Sequence, residues 1–344
     1  MTDRKALFNK GLFCWYHFMK GLGQNKIYWY YEHKNNTLPY IYNGLMMSLF
    51  QSLPNYEISS RHKTLDLSQP HVMGILNVTP DSFSDGGQFT AIEKAVVHCQ
   101  KMIQEGATII DIGGESTRPN ADTVATSEEI QRVVPVVQAI RQHCGDEIWL
   151  SIDTSSPAVM QAAFKAGADI WNDVRALKRE GAAVLAAELD IPVMLMHMRG
   201  EPTTMNGLAQ YDDVVQEVKT ELVERIKEVS RLGVKHNNII IDPGFGFAKN
   251  YEHHCALLKQ LDILQTLGLP MMFGISRKRF LAQVLTNSGV ESVTTTQAPE
   301  RDAIGTAAGI FAIQQGACII RTHNVSMMQQ AVALWSQLSA YHEH

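Results

Sequence analysis

Asp111-Ile112-Gly113-Gly114-Glu115-Ser116-Thr117-Arg118-Pro119 follows directly on Thr108-Ile109-Ile110, and the reading of this stretch decides the fold. Four of the five residues 108–112 are β-branched, a composition that favours a strand. The run ends on an acid and opens into a loop that is rich in glycine and polar side chains. The same layout recurs in both directions along the chain. Residues 72–76, 148–152, 169–172, 192–197, 238–242, 271–275 and 318–322 are short apolar runs that also end on polar residues. With 108–112 they make eight predicted strands.

Amphipathic stretches of helix length separate the runs, among them 91–105, 127–143, 157–166, 212–232 and 252–267. Thr126-Ser127-Glu128-Glu129 predicts a hydroxyl cap followed by first-turn acids. Ser156-Pro157 predicts a helix with proline at its first position. Glu105-Gly106-Ala107, Ala166-Gly167-Ala168 and Gln315-Gly316-Ala317 each end a helix on glycine just before a strand, one joint used three times. Strands alternating with helices indicate a parallel sheet, and eight such units over roughly 270 residues match a (β/α)8 TIM barrel. A doubly wound open sheet would want a GxGxxG turn after its first strand. Here that strand leads into Asn77-Val78-Thr79-Pro80-Asp81.

In a barrel all eight polar strand ends lie on one face, the face that carries catalysis. They are Asn77, Asp111, Asp153, Asn172-Asp173, His197, Asp242, Ser276-Arg277-Lys278 after the seventh strand, and Arg321 with His323. Any single one is as readily a helix cap or a solvated loop residue; eight agreeing are not. Buried carboxylates and amides suit the donor edge of a flat heterocycle, and Arg and Lys suit an anionic leaving group. Asp85-Gly86-Gly87 and Gly113-Gly114 suggest loops able to close over a substrate.

The run from Gly74 to Gly87, GILNVTPDSFSDGG, resembles the first signature of dihydropteroate synthases, and the run from Asp111 to Pro119 resembles the second. Further matches are Ser151-Ile152-Asp153-Thr154, Asn172-Asp173-Val174, Met196-His197-Met198, Asp242-Pro243-Gly244-Phe245-Gly246-Phe247, Ser276-Arg277-Lys278 and Arg321-Thr322-His323. The set runs in order from about residue 60 to the C-terminus.

The resemblance implies condensation of 7,8-dihydropterin-6-ylmethyl diphosphate with 4-aminobenzoate. Asp153, Asn172, Asp242, Lys278 and Arg321 would bind the pterin. Asn77, Arg118, Arg321 and His323 would hold the diphosphate, with Mg²⁺ as cofactor and Asn77 as its protein ligand. Thr117, Arg118, Pro119, Phe247, Ser276 and Lys278 would form the aminobenzoate pocket, where sulfonamides would compete. A homodimer is the family's common state. A methyltetrahydrofolate-binding methyltransferase domain would share the acidic pterin positions but has no use for a diphosphate site. A non-catalytic pterin-binding protein would have lost some of the strand-end polar groups, and none is lost.

Two further patterns favour bland readings. His253-His254 are neighbours on a helix and so do not face one another; they read as surface residues. Met194, Met196 and Met198 alternate, which places them on one face as core or pocket lining and turns His197 away from it.

Composition narrows the partners. A net charge of −5 leaves no basic surplus for nucleic acid. Five scattered cysteines without a CxxC pair argue against disulfides or zinc and for a reducing compartment. No apolar run reaches the ~18–20 residues of a membrane span, and the first twenty residues lack the order of a secretory signal. The cytoplasm is the expected location, with small-molecule substrates as partners. Residues 1–60, crowded with aromatics but without a period, read as an irregular extension to a catalytic domain at 61–344. Met46 and Met47 lie near where a family member would start. This suggests that residues 1–45 are a poorly ordered extension or come from an upstream start.

Overall fold

The computed structural model describes backbone elements within 4–41 and, more fully, residues 53–78, 87–115, 124–290 and 297–340. The chain divides into Met1–Gln51 and Ser52–His344. In the first unit, β1 (Arg4–Asn9), β2 (Leu12–Met19), β3 (Lys26–His33) and β4 (Asn36–Ile41) form an antiparallel sheet in sequence order. No period is legible here because the aromatics occupy consecutive positions, as in Tyr28-Trp29-Tyr30-Tyr31. That composition favours strands but leaves no alternation to read. Pro39 falls in the edge strand β4, where a missing N–H is tolerated.

The second unit opens with a hairpin, β5 (Glu57–Ser60) and β6 (Lys63–Asp66). Eight parallel strands then close into a barrel: β7 (His71–Asn77), β8 (Ile109–Gly113), β9 (Trp149–Asp153), β10 (Ile170–Asp173), β11 (Val193–Met196), β12 (Ile239–Asp242), β13 (Met271–Phe273) and β14 (Ala317–Thr322). Strands β8 to β13 are buried along their whole length. This explains their nearly continuous Ile, Leu, Val and Met, since helices cover the outer face. The helices are α1 (Gly87–Gln104), α2 (Thr126–Cys144), α3 (Pro157–Ala166), α4 (Ala182–Leu189), α5 (Val214–Arg231), α6 (Tyr251–Lys259), α7 (Arg279–Asn287), α8 (Asp302–Gln314) and α9 (Val325–Ala340).

The glycine joint is present in all three copies. Gly106, Gly167 and Gly316 have φ of 101°, 121° and 93°. In the first two the glycine N–H and the following alanine N–H both turn back onto helix carbonyls, Ile103 and Met102, then Phe164 and Ala163, at 2.9–3.0 Å. These are Schellman closures, and a side chain on the glycine would be strained. One helix start differs from expectation. Ala125, not Thr126, caps α2, its carbonyl accepting from the Glu128 and Glu129 N–H groups.

Lys63 of β6 ties the hairpin to the N-terminal end of the barrel. Its Nζ donates to the Asp146 carbonyl at 2.8 Å and to Asp169 Oδ2 at 2.7 Å. Asp169, fully buried, also accepts from Arg141 Nη2 at 2.5 Å and from Leu150 N–H at 2.9 Å. Removing one member of such a group strands the others as buried, uncompensated charges. Asp169→Ala is expected to lose about 3–5 kcal/mol of stability in urea unfolding. Turnover per folded molecule should stay unchanged, because this is the floor and not the mouth.

Candidate active site

Strand register settles which side chains enter the barrel. Residues paired across a parallel ladder share a face, and side chains alternate along each strand. Asn77 pairs with Gly113, Gly113 with Asp153, and Asp153 with Asn172. One layer lower, Ile75 pairs with Asp111 and Asp111 with Ser151. Asn172 pairs with Met194, Met196 with Asp242, and Arg321 with Met73. Asn77, Asp111, Asp153, Asn172, Asp242 and Arg321 therefore share one face, the lumen, with Met194 and Met196 beside them as the alternation predicted.

Arg321 reaches from β14 past β7 to the two strands beyond. Its Nε donates to Asp111 Oδ2 at 2.7 Å and its Nη2 to Asp153 Oδ2 at 2.9 Å. Asn172 Nδ2 donates to the same Asp111 oxygen at 3.1 Å. The other oxygens, Asp111 Oδ1 and Asp153 Oδ1, are buried without a hydrogen-bond partner among the described residues. Unsatisfied buried acceptors are costly and mark places where a donor belongs. Burial pushes the Asp153 carboxyl up to about 7; Arg321 pulls it down, and Asp111 and Asp173 push it further up. Asp111 appears in the second signature but received no role in the sequence reading. The signal was its lumen-facing alternation with Gly113.

The loop after β12 brings in the second half of the site. Asp242 accepts from Gly244 N–H at 2.7 Å, and burial raises its pKa against the pull of Lys278. Gly244, at φ 71°, has no room for a Cβ, which would lie 1.9 Å from the His197 carbonyl oxygen. Lys278 is half-buried, and loss of solvent lowers it to about 8 although Asp242 opposes this. Its Nζ donates to the Phe245 carbonyl and lies 4.4 Å from the centre of the Phe247 ring. Phe247 packs with Val174, Met196, Met198, Met205 and Ala248.

Two loops hold left-handed residues in place with buried charges. Arg277, at φ 60°, grips Asp302 through two 2.8 Å bonds, so the next residue, Lys278, turns inward. Beside it Ser276 Oγ lies 3.0 Å from His323 Nδ1. After β10, Ala176 and Leu177 have φ of 53° and 59°. Arg225 donates to both of their carbonyls at 2.5 Å, and Asp173 accepts from Arg175 and Leu177 N–H groups. Asp302 and Arg225 carry no local signal in the sequence.

The structure thus brings together Asn77, Asp153, Asn172, Asp242, Phe247, Ser276, Lys278, Arg321 and His323 at the C-terminal mouth. Thr117, Arg118 and Pro119 lie outside the described residues, as does the Asp85-Gly86 part of the first glycine loop. One expectation is corrected. His254 is not on the surface: it is buried and accepts the Gly246 N–H at 2.7 Å. The two neighbours do face apart, and His254 is the one that faces inward. His253 forms a capping box with Asn250.

A parallel barrel with carboxylates, amides and cations converging on its mouth has the architecture of a pterin-binding enzyme, and the family described as "Pterin binding enzyme" matches residues 73–323. Dihydropteroate synthase of Escherichia coli (strain K12) is 48% identical over 269 residues, 78% of this chain and 92% of that protein. That of Haemophilus influenzae is 44% identical over 280 residues, 81% of this chain and 98% of that protein. The solved structure of Xanthomonas albilineans dihydropteroate synthase with 4-aminobenzoic acid superposes with a TM-score of 0.76 at 42% identity, covering 84% of this chain and 100% of that one. The chain belongs to the dihydropteroate synthase family of pterin-binding enzymes.

Asp153 makes a pH prediction. Its carboxyl titrates near 7 in the fold, against an ordinary value of 3.8. Between these limits the folded state holds the proton more tightly than the unfolded state. Asp153's contribution to stability therefore falls as pH rises from about 4 to about 7. Asp153→Asn removes the titration, so its Tm should gain steadily on the parent's across that window. A Tm difference that does not change with pH would contradict the assignment.

Proposed function

We propose that this protein condenses 7,8-dihydropterin-6-ylmethyl diphosphate with 4-aminobenzoate, releasing diphosphate and forming 7,8-dihydropteroate in folate biosynthesis. The observation that carries the reading is the pair of unpartnered, buried carboxylate oxygens on Asp111 and Asp153 in a lumen that also holds Asp242 and Lys278. The amino-pyrimidine edge of a pterin supplies the N–H donors that such oxygens lack.

The pterin lies among Asp153, Asn172, Asp242 and Lys278, with Arg321 across the lumen. Arg321 holds the diphosphate together with His323 and Asn77. Arg321 and His323 then offset the charge that collects on the leaving diphosphate. Asp153 and Asp242 favour the positive charge left on the pterin methylene. The neutral aniline nitrogen of aminobenzoate attacks that carbon, so no strong enzymatic base is required. Phe247, Ser276 and Lys278 border the aminobenzoate; Thr117, Arg118 and Pro119, to which the resemblance gives roles in the pocket, lie outside the described residues. Sulfonamides that mimic aminobenzoate compete there.

The residues at the mouth fit a Mg²⁺ ion bound mainly through the substrate. Asn77 ends β7 exposed, and its amide oxygen lies next to Gly113 and Asp153. Magnesium prefers hard oxygen donors, keeps several waters and takes up substrate phosphates, so a full protein cage is unnecessary. When bound, it would neutralise the diphosphate as a Lewis acid. Among the described residues no helix is long and apolar enough to cross a membrane; the reading places the enzyme in the cytoplasm. Phe311 and Met327 on α8 and α9, with Leu334 and Leu338, expose apolar surface that a homodimer would cover.

The test is direct. Incubation with the pterin diphosphate, Mg²⁺ and labelled aminobenzoate should yield dihydropteroate and diphosphate in equal amounts, and chelation of Mg²⁺ should suppress both. Asp242→Ala should weaken pterin binding by about 2–3 kcal/mol, the scale of a lost charged hydrogen bond, read by calorimetry. Arg321→Ala should lower kcat more than it weakens binding of a pterin without the diphosphate. Unchanged kinetics for Asp242→Ala would refute the pterin placement.

A further inference from the structure

One buried cation at the mouth has no part in the chemistry described above. Lys249 stands just past the β12 loop, and its Nζ lies 2.9 Å from His197 Nδ1, 3.1 Å from the Gly244 carbonyl and 3.1 Å from the Phe247 carbonyl. The His197 carbonyl follows at 3.5 Å. An ammonium has three protons, and three near acceptors receive them. With His197 accepting at Nδ1, its Nε2 carries the hydrogen and donates to Glu221 Oε2 at 3.0 Å. Arg199 holds Glu221 in place, also bonds Glu217 and packs 3.9 Å over the Tyr211 ring. Burial keeps His197 neutral, with a pKa near 4, so it can serve as the acceptor. Burial also presses Lys249 down to about 7, with Asp242 opposing and Lys278 assisting. A lysine held on carbonyls and a neutral ring, at that cost in solvation, fixes a backbone shape.

The shape in question is a strained turn. Gly244, Gly246 and Ala248 have φ of 71°, 82° and 47°, three left-handed residues among five. The backbone of Asp242 is fixed independently of this turn, in the barrel ladder opposite Met196 with its carbonyl accepting the His197 N–H at 2.8 Å, and the turn reaches its carboxylate only through the Gly244 N–H. Phe247 does depend on it. We infer that Lys249 is a positioning residue for the second substrate: it fixes the turn that presents Phe247, and so governs the affinity for aminobenzoate more than that for the pterin. The inference rests on the placement of aminobenzoate against Phe247.

The experiment compares steady-state kinetics of the full chain and its Lys249→Met variant, with calorimetry of the pterin substrate alone. Lys249→Met should raise KM for aminobenzoate by about tenfold or more, the effect of losing a charge-assisted hydrogen bond. The kcat and the pterin affinity should stay within about threefold of the parent, well short of that effect. His197→Phe removes one of the three acceptors and keeps a flat ring. It should move the same KM in the same direction, and this provides the reading if Lys249→Met does not fold. Phe247→Ala separates the two ideas. If it raises KM while Lys249→Met and His197→Phe do not, the role of Lys249 is refuted. If Phe247→Ala leaves KM unchanged, the placement of aminobenzoate has failed. Parallel loss of pterin binding in Lys249→Met would make Lys249 a general structural residue and overturn the inference.

Discussion

A carboxylate is costly to bury inside a tube of isoleucine, leucine and methionine unless a donor or cation reaches it. Asp111 and Asp153 lie inside such a tube, and Arg321 reaches them from across the lumen. Much of the mouth follows from that contact. It sets the rest position of the guanidinium, leaves one oxygen on each acid without a partner among the described residues, and opposes the rise that burial gives the Asp153 carboxyl.

The two ends of the barrel handle backbone strain differently. Of the six non-glycine residues at positive φ among the described residues, four (Ala176, Leu177, Ala248 and Arg277) lie in loops at the mouth. Each is held by a buried charged group: Arg225, Lys249 or Asp302. At the floor, three of the helices turn back into strands through glycine, which takes positive φ without strain. Strain of this kind persists only where surrounding structure overdetermines it, and it gathers at functional sites. The loops of the mouth are therefore held in shape by buried charged groups.

The barrel was legible because each strand, buried on both faces, must be a short apolar run, and because each ends on a polar residue. Asn77, Asp153, Asn172, Asp242 and Arg321 could be named from that alone. Partnership across the lumen could not. Arg321 and Asp111 are 210 positions apart, and nothing local links them. Helix spacing turns His253 and His254 apart, but it does not say which of the two faces the core. Lys249 looked like any loop lysine; only the folded turn reveals three acceptors around it. The aromatic N-terminal sheet hid because consecutive strand formers erase the very alternation that identifies a strand.

The glycine joint at the floor has a consequence for how this chain tolerates change. Each return turn fixes the spacing between the last helical carbonyls and the first residue of the next strand. One residue added there would advance that strand by a pleat and point its lumen side chains outward, as a frameshift garbles every codon downstream. Length added at the mouth is absorbed before the next helix begins and leaves the strands in phase. The floor keeps the reading frame of the barrel, and so the mouth is the end at which insertion and deletion can proceed without misplacing Asp111, Asp153 or Asp242.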